Sequence, residues 1–206
     1  MGKSILKIRS EGHNLDFVCD NEITLYRAQT LFSKEPGTIE WIKNNFTEGD
    51  VFYDIGANIG VYSLFANKYV GESGHIYSFE PHPANVASLI SNIVRNKFEN
   101  KITVLPLALS DSESYKKFYF HSTEAGSSGS QIEDTFFSKK FNPEIISILS
   151  ITTIDKLIEL KEIRPPNLIK IDVDGQELEI LRGMKNLLAS SVHPKSIQVE
   201  VDPHNR

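Results

Sequence analysis

The sequence has little of several things, and each scarcity excludes a class of protein. Its 206 residues include one cysteine, Cys19, so the chain can form neither an internal disulfide nor a zinc site built on several cysteines. No apolar run is long enough to cross a bilayer, and residues 1–10 lack the apolar core of a signal peptide. A formal net charge of -5 disfavours nucleic acid as the main partner. These features predict a cytoplasmic protein.

Apolar runs and helical periodicities alternate along the chain. Alternating residues at 5–8 and 23–26 favour a β-hairpin or flap over residues 1–34, ahead of a main domain over residues 35–206. The main domain reads as strand, helix, strand, helix, strand, which predicts a Rossmann-like α/β fold with a mostly parallel sheet and helices on both faces. Residues 111–150 are expected to form variable loops, apart from an added strand. The predicted strands cover residues 51–55, 75–79, 102–109, 116–120, 168–173 and 196–201.

The loop after the first predicted strand of the main domain is the strongest single motif. Val51–Ile55 is an apolar run containing Asp54, and Gly56 and Gly60 then turn the chain into a helix. A backbone without Cβ atoms can approach a ligand closely, and the free N–H groups of the helix start point the same way. The motif therefore predicts a nucleotide-type ligand site.

Acidic residues mark most of the predicted strand ends, and Glu80 is the most informative of them. It follows Asp54 by one strand–helix unit, where dinucleotide-binding folds place an acid on the ribose hydroxyls. Asn58, however, replaces the middle glycine that would lie against a diphosphate, and Asp54 would repel that group. S-adenosylmethionine carries an ammonium, a sulfonium, a ribose and an adenine but no phosphate. The charges therefore favour it over NAD.

Five motifs, taken in order, resemble the FkbM-type class I methyltransferases. They are Asp-Ile-Gly-Ala-Asn-Ile-Gly-Val-Tyr-Ser (54–63), Ser-Phe-Glu-Pro-His-Pro (78–83), Ala-Leu-Ser-Asp (108–111), Gly-Ser-Ser-Gly-Ser (126–130) and Ile-Lys-Ile-Asp-Val-Asp-Gly-Gln-Glu (169–177). The resemblance covers about residues 35–201 and implies the class I methyltransferase sandwich. Asp174 stands where the family more often has Glu. Such folds usually continue past the fifth strand with a helix and an antiparallel strand pair. We therefore expect a chain ending at Arg206 to lack that pair, either because it is truncated or because its sheet is smaller.

The resemblance also implies roles for individual residues. Glu80 would bind the cofactor ribose, Leu109 and Ser110 would lie at the adenine edge, and Asp172 would lie beside the sulfonium. Glu35 is a weaker candidate for closing the site. The methionine end of the cofactor would be held by Asp54, Gly56, Ala57, Asn58 and Gly60.

The resemblance implies methyl transfer to a hydroxyl of a sugar, a glycolipid or a secondary metabolite. An alcohol acceptor must lose its proton, and Asp172 is the expected base, with Asp174 or Glu177 as alternates. A cofactor-binding module without turnover is the alternative, and an NAD-dependent oxidoreductase is a third interpretation that the missing glycine disfavours. A Mg²⁺ or Ca²⁺ site, also not favoured, would be formed by Asp172, Asp174, Glu200 and Asp202.

Overall fold

The computed structural model describes residues 4–132 and 142–201. Its strands are β1 Ser4–Ser10, β2 His13–Cys19, β3 Val51–Ile55, β4 His75–Phe79, β5 Ile102–Leu105, β6 Ala108–Leu109, β7 Ser114–Phe120, β8 Gln131–Ile132, β9 Ile145–Thr152, β10 Leu168–Ile171 and β11 Ser196–Val199. Its helices are α1 Glu22–Gln29, α2 Pro36–Asn45, α3 Val61–Val70, α4 Pro83–Asn96, α5 Ile154–Glu159, α6 Glu177–Arg182 and α7 Lys185–Ala189.

A parallel sheet of five strands forms the centre of the molecule, in the order β11-β10-β3-β4-β5. Every residue of β3 and β10 is buried, as expected for the apolar inner strands of a parallel sheet. The register pairs Ile55 with Phe79 on one side and with Ile171 on the other. The strands β3, β4 and β10 therefore end at one level, at the edge of the sheet where ligands bind in open α/β folds.

Helices cover both faces of this sheet. Successive buried side chains of β3 point to opposite sides, so each face needs an apolar cover. Phe52 belongs to one apolar cluster, which includes residues of α2, α3 and α4. Tyr53 belongs to the other cluster, which includes residues of α5, α6 and α7. The predicted α/β class, with a mostly parallel sheet between two helical layers, is confirmed.

The N-terminal segment is a hairpin followed by a helix. Strands β1 and β2 pair antiparallel, and Leu15 and Phe17 of β2 are buried in the cluster that contains Phe52. The strand expected over residues 23–26 is wrong, because α1 covers them. Asn21 begins this helix by accepting the Thr24 backbone N–H at 2.8 Å, and the Thr24 hydroxyl accepts the Asn21 backbone N–H. The domain boundary at residue 34 stays a prediction.

A second sheet, in the order β6-β9-β7-β8, corrects two predictions. The single strand expected over residues 102–109 is broken at Pro106, which has no N–H for a sheet ladder, and β6 pairs with β9 instead. The loops expected over residues 111–150 contain β7 and most of β9, which pair antiparallel from Ser114 with Ile151 to Phe120 with Ile145. The added strand at 116–120 is confirmed as part of β7. Residues 133–141 lie outside the described residues.

The C-terminal helical segment also differs from expectation. Helical periodicity over residues 177–188 predicts one helix with a kink at Gly183, whereas the structure divides this segment into α6 and α7. A Cβ atom at position 183 would lie 2.0 Å from the Ser110 backbone oxygen, so only glycine allows this close passage. In the described part of the chain, β11 forms one edge of the central sheet and pairs with β10 alone.

Candidate active site

A cavity of about 260 Å³ opens beyond the carboxyl ends of β3, β4 and β10. Its apolar wall includes Phe79, Leu107, Leu109 and Ile180. Its polar wall includes Gly56, Asn58, Glu80, Ser127, Asp172, Asp174 and Glu200. The cavity wall therefore brings together six positions that the sequence predicted for the site, which are 56, 58, 80, 109, 172 and 174.

The loop between β3 and α3 has an unusual backbone. Gly56, Asn58 and Gly60 have φ values of 81°, 52° and 85°, in the left-handed region that glycine and asparagine tolerate best. A Cβ atom on Gly56 would lie 1.9 Å from the Asp172 backbone oxygen, and one on Gly60 would lie 2.3 Å from Leu89 Cδ1. The sequence argument placed a ligand against these glycines. In the structure, their missing side chains make room for the end of β10 and for α4.

Glu80 is held by the loop that precedes α3. Its Oε2 accepts the Asn58 backbone N–H at 2.8 Å, and its Oε1 accepts the His82 backbone N–H at 2.9 Å. Burial raises the pKa of Glu80 to about 7, although these hydrogen bonds oppose that shift. Asn85 Nδ2 also donates to Oε1, at 3.5 Å. Since a carboxylate offers about four lone-pair positions, these three donors leave capacity for a donor from the cavity.

Asp172 forms an ion pair with Lys170, a lysine that is 2% exposed within β10. Burial alone would raise the pKa of Asp172, but the Lys170 ammonium and a hydrogen bond from Glu200 lower it well below its usual range. The hydrogen bond to Asp172 and its charge, together with burial, raise the pKa of Glu200. Asp172 is therefore the ionised member of this pair, and Glu200 is the proton donor.

The Gly/Ser segment 124–130 forms one wall of the cavity and is fixed by polar side chains. Asn58 Nδ2 donates to the Ser127 backbone oxygen at 2.9 Å, and Asn85 Nδ2 donates to the same oxygen at 3.2 Å. Asp174 Oδ2 accepts the Gly129 backbone N–H at 2.5 Å. Burial raises the pKa of Asp174 in spite of this bond. This segment is thus a built part of the site, which its composition did not predict.

Several predicted site residues lie outside the cavity wall. Asp54 is 1% exposed, and its Oδ2 accepts the Ser63 hydroxyl at 2.5 Å; burial raises its pKa. Ser110, also 1% exposed, and Gly60 lie outside the lining. This geometry disfavours direct contact between a ligand in the cavity and Asp54, Gly60 or Ser110. Glu35, which precedes α2, lines a neighbouring pocket together with Ala57.

Two cations in the cavity wall were not predicted. Arg27 of α1 and Lys34, five residues after that helix ends, line the cavity close to Gly56 and Asn58. No local motif marks either residue, because both reach the site only through the packing of the N-terminal segment. A search for charged residues on an amphipathic first helix would have offered only a weak signal.

Among residues 4–132 and 142–201, no group of three or more His, Cys, Asp or Glu side chains could hold a metal ion, and Asp202 lies outside those ranges. A Mg²⁺ site is therefore not supported. No helix in the same ranges is both long and apolar enough to cross a membrane.

Comparison with known proteins places the site in context. The sequence pattern of the methyltransferase FkbM domain matches residues 54–205. The hexuronic acid methyltransferase AglP of Haloferax volcanii is 31% identical over 87% of this chain and 68% of its own length. The 31-O-demethyl-FK506 methyltransferase FkbM of Streptomyces tacrolimicus is 28% identical over 76% of this chain and 66% of its own length. A crystal structure of an S-adenosylmethionine-dependent O-methyltransferase from Thermotoga maritima is 12% identical, with a TM-score of 0.44 over 87% of this chain and 50% of that chain.

Proposed function

The chain belongs to the FkbM methyltransferase family, and we propose that it transfers a methyl group from S-adenosylmethionine to an oxygen of a small acceptor. The acceptor class is a hydroxyl of a sugar, a glycolipid or a secondary metabolite. The similarity to a hexuronic acid methyltransferase favours a sugar within this class.

The observation that carries this proposal is the position of Glu80. Its carboxylate lies in the wall of the cavity beyond β4, and two backbone N–H groups orient it. An acid in this place suits the two hydroxyls of an unphosphorylated ribose. The apolar wall around Leu107, Leu109 and Ile180 suits an adenine ring. Asp172 adds a carboxylate that suits a cation. The groups that line the cavity therefore fit S-adenosylmethionine.

The bound cofactor would supply an electrophilic methyl group, and the residues of the chain would supply alignment and a base. Alignment alone can contribute roughly 7–11 kcal/mol in favourable cases. A base works best when its pKa lies near the working pH. Lys170 keeps Asp172 ionised and weakly basic, whereas burial raises the pKa of Asp174. We therefore assign proton removal to Asp174 and an electrostatic role beside the sulfonium to Asp172.

Calorimetry with S-adenosylmethionine tests the cofactor assignment directly. We expect one binding site per chain and no comparable binding of NADH, because Asn58 occupies the place of the diphosphate glycine. The absence of S-adenosylmethionine binding to folded protein would contradict the proposal.

Transfer is tested separately by mass spectrometry with a panel of neutral sugars, uronic acids and sugar glycosides. We expect a mass increase of one methyl group in at least one of them. Binding of the cofactor without methylation of any acceptor would favour the alternative function, a binding module without turnover.

A further inference from the structure

The two unpredicted cations stand at one end of the cavity. Arg27 and Lys34 line both the cavity and a small side pocket of about 30 Å³ that continues from it. This side pocket also includes Ala57, Val61 and Asp172. It therefore extends the cavity along the loop before α3.

Structural contacts hold both cations in this place. Arg27 Nε donates to the Gly126 backbone oxygen, which ties the guanidinium to the Gly/Ser segment. Lys34 Nζ lies 2.7 Å from the Glu35 carboxylate, and its side chain is 42% exposed. Burial would lower the pKa of Lys34, but the hydrogen bond to Glu35 and the charge of Asp172 raise it, so it is charged at neutral pH.

The side pocket thus carries charges of both signs. Arg27 and Lys34 are cationic, Glu35 and Asp172 are acidic, and the first residue of the ten-residue helix α3, Val61, lies in the wall. The N-terminus of a helix favours negative charge. A ligand that carries a carboxylate and an ammonium on one carbon atom would meet a partner for each of these groups here.

We propose that Arg27 and Lys34 bind the α-carboxylate of the amino-acid end of S-adenosylmethionine, with Glu35 and Asp172 facing its ammonium. This inference rests on the proposed function above. It assigns cofactor binding to a segment that precedes residue 54, where the match to the FkbM domain begins. It also gives the N-terminal hairpin and α1 a role, because their packing brings Arg27 to the cavity.

Decarboxylated S-adenosylmethionine makes the test specific, since it keeps the ammonium, the sulfonium and the nucleoside but lacks the carboxylate. We would measure the Kd of both ligands by calorimetry for the unmodified protein, Lys34→Met, Lys34→Arg and Arg27→Met. Lys156→Met is the matched control, because Lys156 is also a half-exposed lysine paired with a neighbouring glutamate, Glu159, and it lies outside the cavity.

We expect Lys34→Met and Arg27→Met each to weaken S-adenosylmethionine binding by about ten-fold, as for the loss of a charged hydrogen bond. The same variants should bind the decarboxylated ligand as the unmodified protein does, and Lys34→Arg should retain most of the affinity. Arg27→Met also breaks the hydrogen bond to Gly126 and could displace the Gly/Ser segment. Such a displacement would weaken the binding of both ligands equally, so the comparison of the two ligands detects it.

Equal weakening of both ligands by both variants would overturn the inference. Unchanged S-adenosylmethionine affinity in both variants would also overturn it and would assign the cations to another anion, such as an acidic acceptor. If the unmodified protein binds neither ligand, the proposed function fails and this inference fails with it.

Discussion

Asn58 and Glu80 are joined by a 2.8 Å hydrogen bond from the Asn58 backbone N–H to Glu80 Oε2. The φ of 52° at Asn58 accompanies this bond, and asparagine tolerates that conformation better than most residues. The bond links the loop after β3 to the end of β4. The two motifs that the sequence marked for one cofactor therefore form a single hydrogen-bonded unit.

Removal of the Glu80 carboxylate should weaken cofactor binding. We expect Glu80→Ala to raise the Kd for S-adenosylmethionine by more than about ten-fold, because charged hydrogen bonds to the ribose would be lost. Calorimetry gives the Kd, and circular dichroism checks that the variant is folded. Glu99→Ala, which changes an exposed glutamate after α4, is the control. Unchanged affinity in folded Glu80→Ala would refute the ribose assignment.

Cofactor affinity should depend on pH through Glu80. Its pKa is raised to about 7, so its ionised fraction increases as the pH rises from 6 to 8. Ribose hydroxyls donate to the ionised form, and binding should therefore tighten by up to about ten-fold over this range. Glu80→Gln should lack this component, and the difference between the two proteins cancels the titration of the ligand itself. Identical pH profiles for both proteins would exclude Glu80 as the titrating group.

Substitutions of Asp172 and Asp174 should differ in their effects on binding and turnover. Asp174→Asn should lower kcat by about 10²–10⁴-fold and change the cofactor Kd little, as expected for loss of a base. Asp172→Asn should mainly raise the cofactor Kd, since a carboxylate beside a cation is lost. Steady-state kinetics and calorimetry separate the two effects. Turnover at the unmodified rate in Asp174→Asn would remove that residue from proton transfer.

Removal of one partner of the Lys170–Asp172 ion pair should lower the free energy of unfolding. Lys170→Met leaves Asp172 as a carboxylate without its partner, and we expect a loss of about 3–5 kcal/mol in the free energy of unfolding. The pKa of Asp172 is lowered in the folded protein, so this pair stabilises the protein above the usual carboxyl pKa of 3.8, and the contribution is lost as the pH falls. Urea denaturation at pH 7 measures the loss. The double variant Lys170→Met/Asp172→Asn should recover most of it, and a double variant as unstable as the single one would contradict this account.

Gly56 should tolerate no side chain. Gly56→Ala places a Cβ atom 1.9 Å from the Asp172 backbone oxygen at a φ of 81°, so the loop and β10 must separate. We expect a loss of more than about 2 kcal/mol in stability. Gly37→Ala is the matched control, since its Cβ meets nothing within 4 Å in α2. It should be neutral or stabilising by up to about 1 kcal/mol. Thermal and urea unfolding of both variants measure this difference in stability. Equal stability of Gly56→Ala and Gly37→Ala would contradict the prediction.

The sequence predicted the central sheet well because its strands are specified locally. The bounds of β3 and β4 are those expected, since each is a short apolar run between turn residues. Strand β9 was missed, although Ile145, Ile148 and Ile151 recur along it. Its partner β7 is about 30 residues away in the chain, and no local signal gives that pairing. Helix α1 was missed because the capping by Asn21 and Thr24 outweighed a short alternation.

The sequence by itself determined the parallel sheet, the glycine-rich turn and the acids at the strand ends, because apolar periodicity and turn chemistry act over a few residues. Only the tertiary structure decided which of those acids face the cavity. It buries Asp54 of β3 against Ser63 of α3, and it brings Arg27 to the cavity from outside the motifs. It also ionises Asp172 through Lys170 and Glu200. Burial and charge neighbours come from distant parts of the chain, and they set the chemistry of each carboxylate.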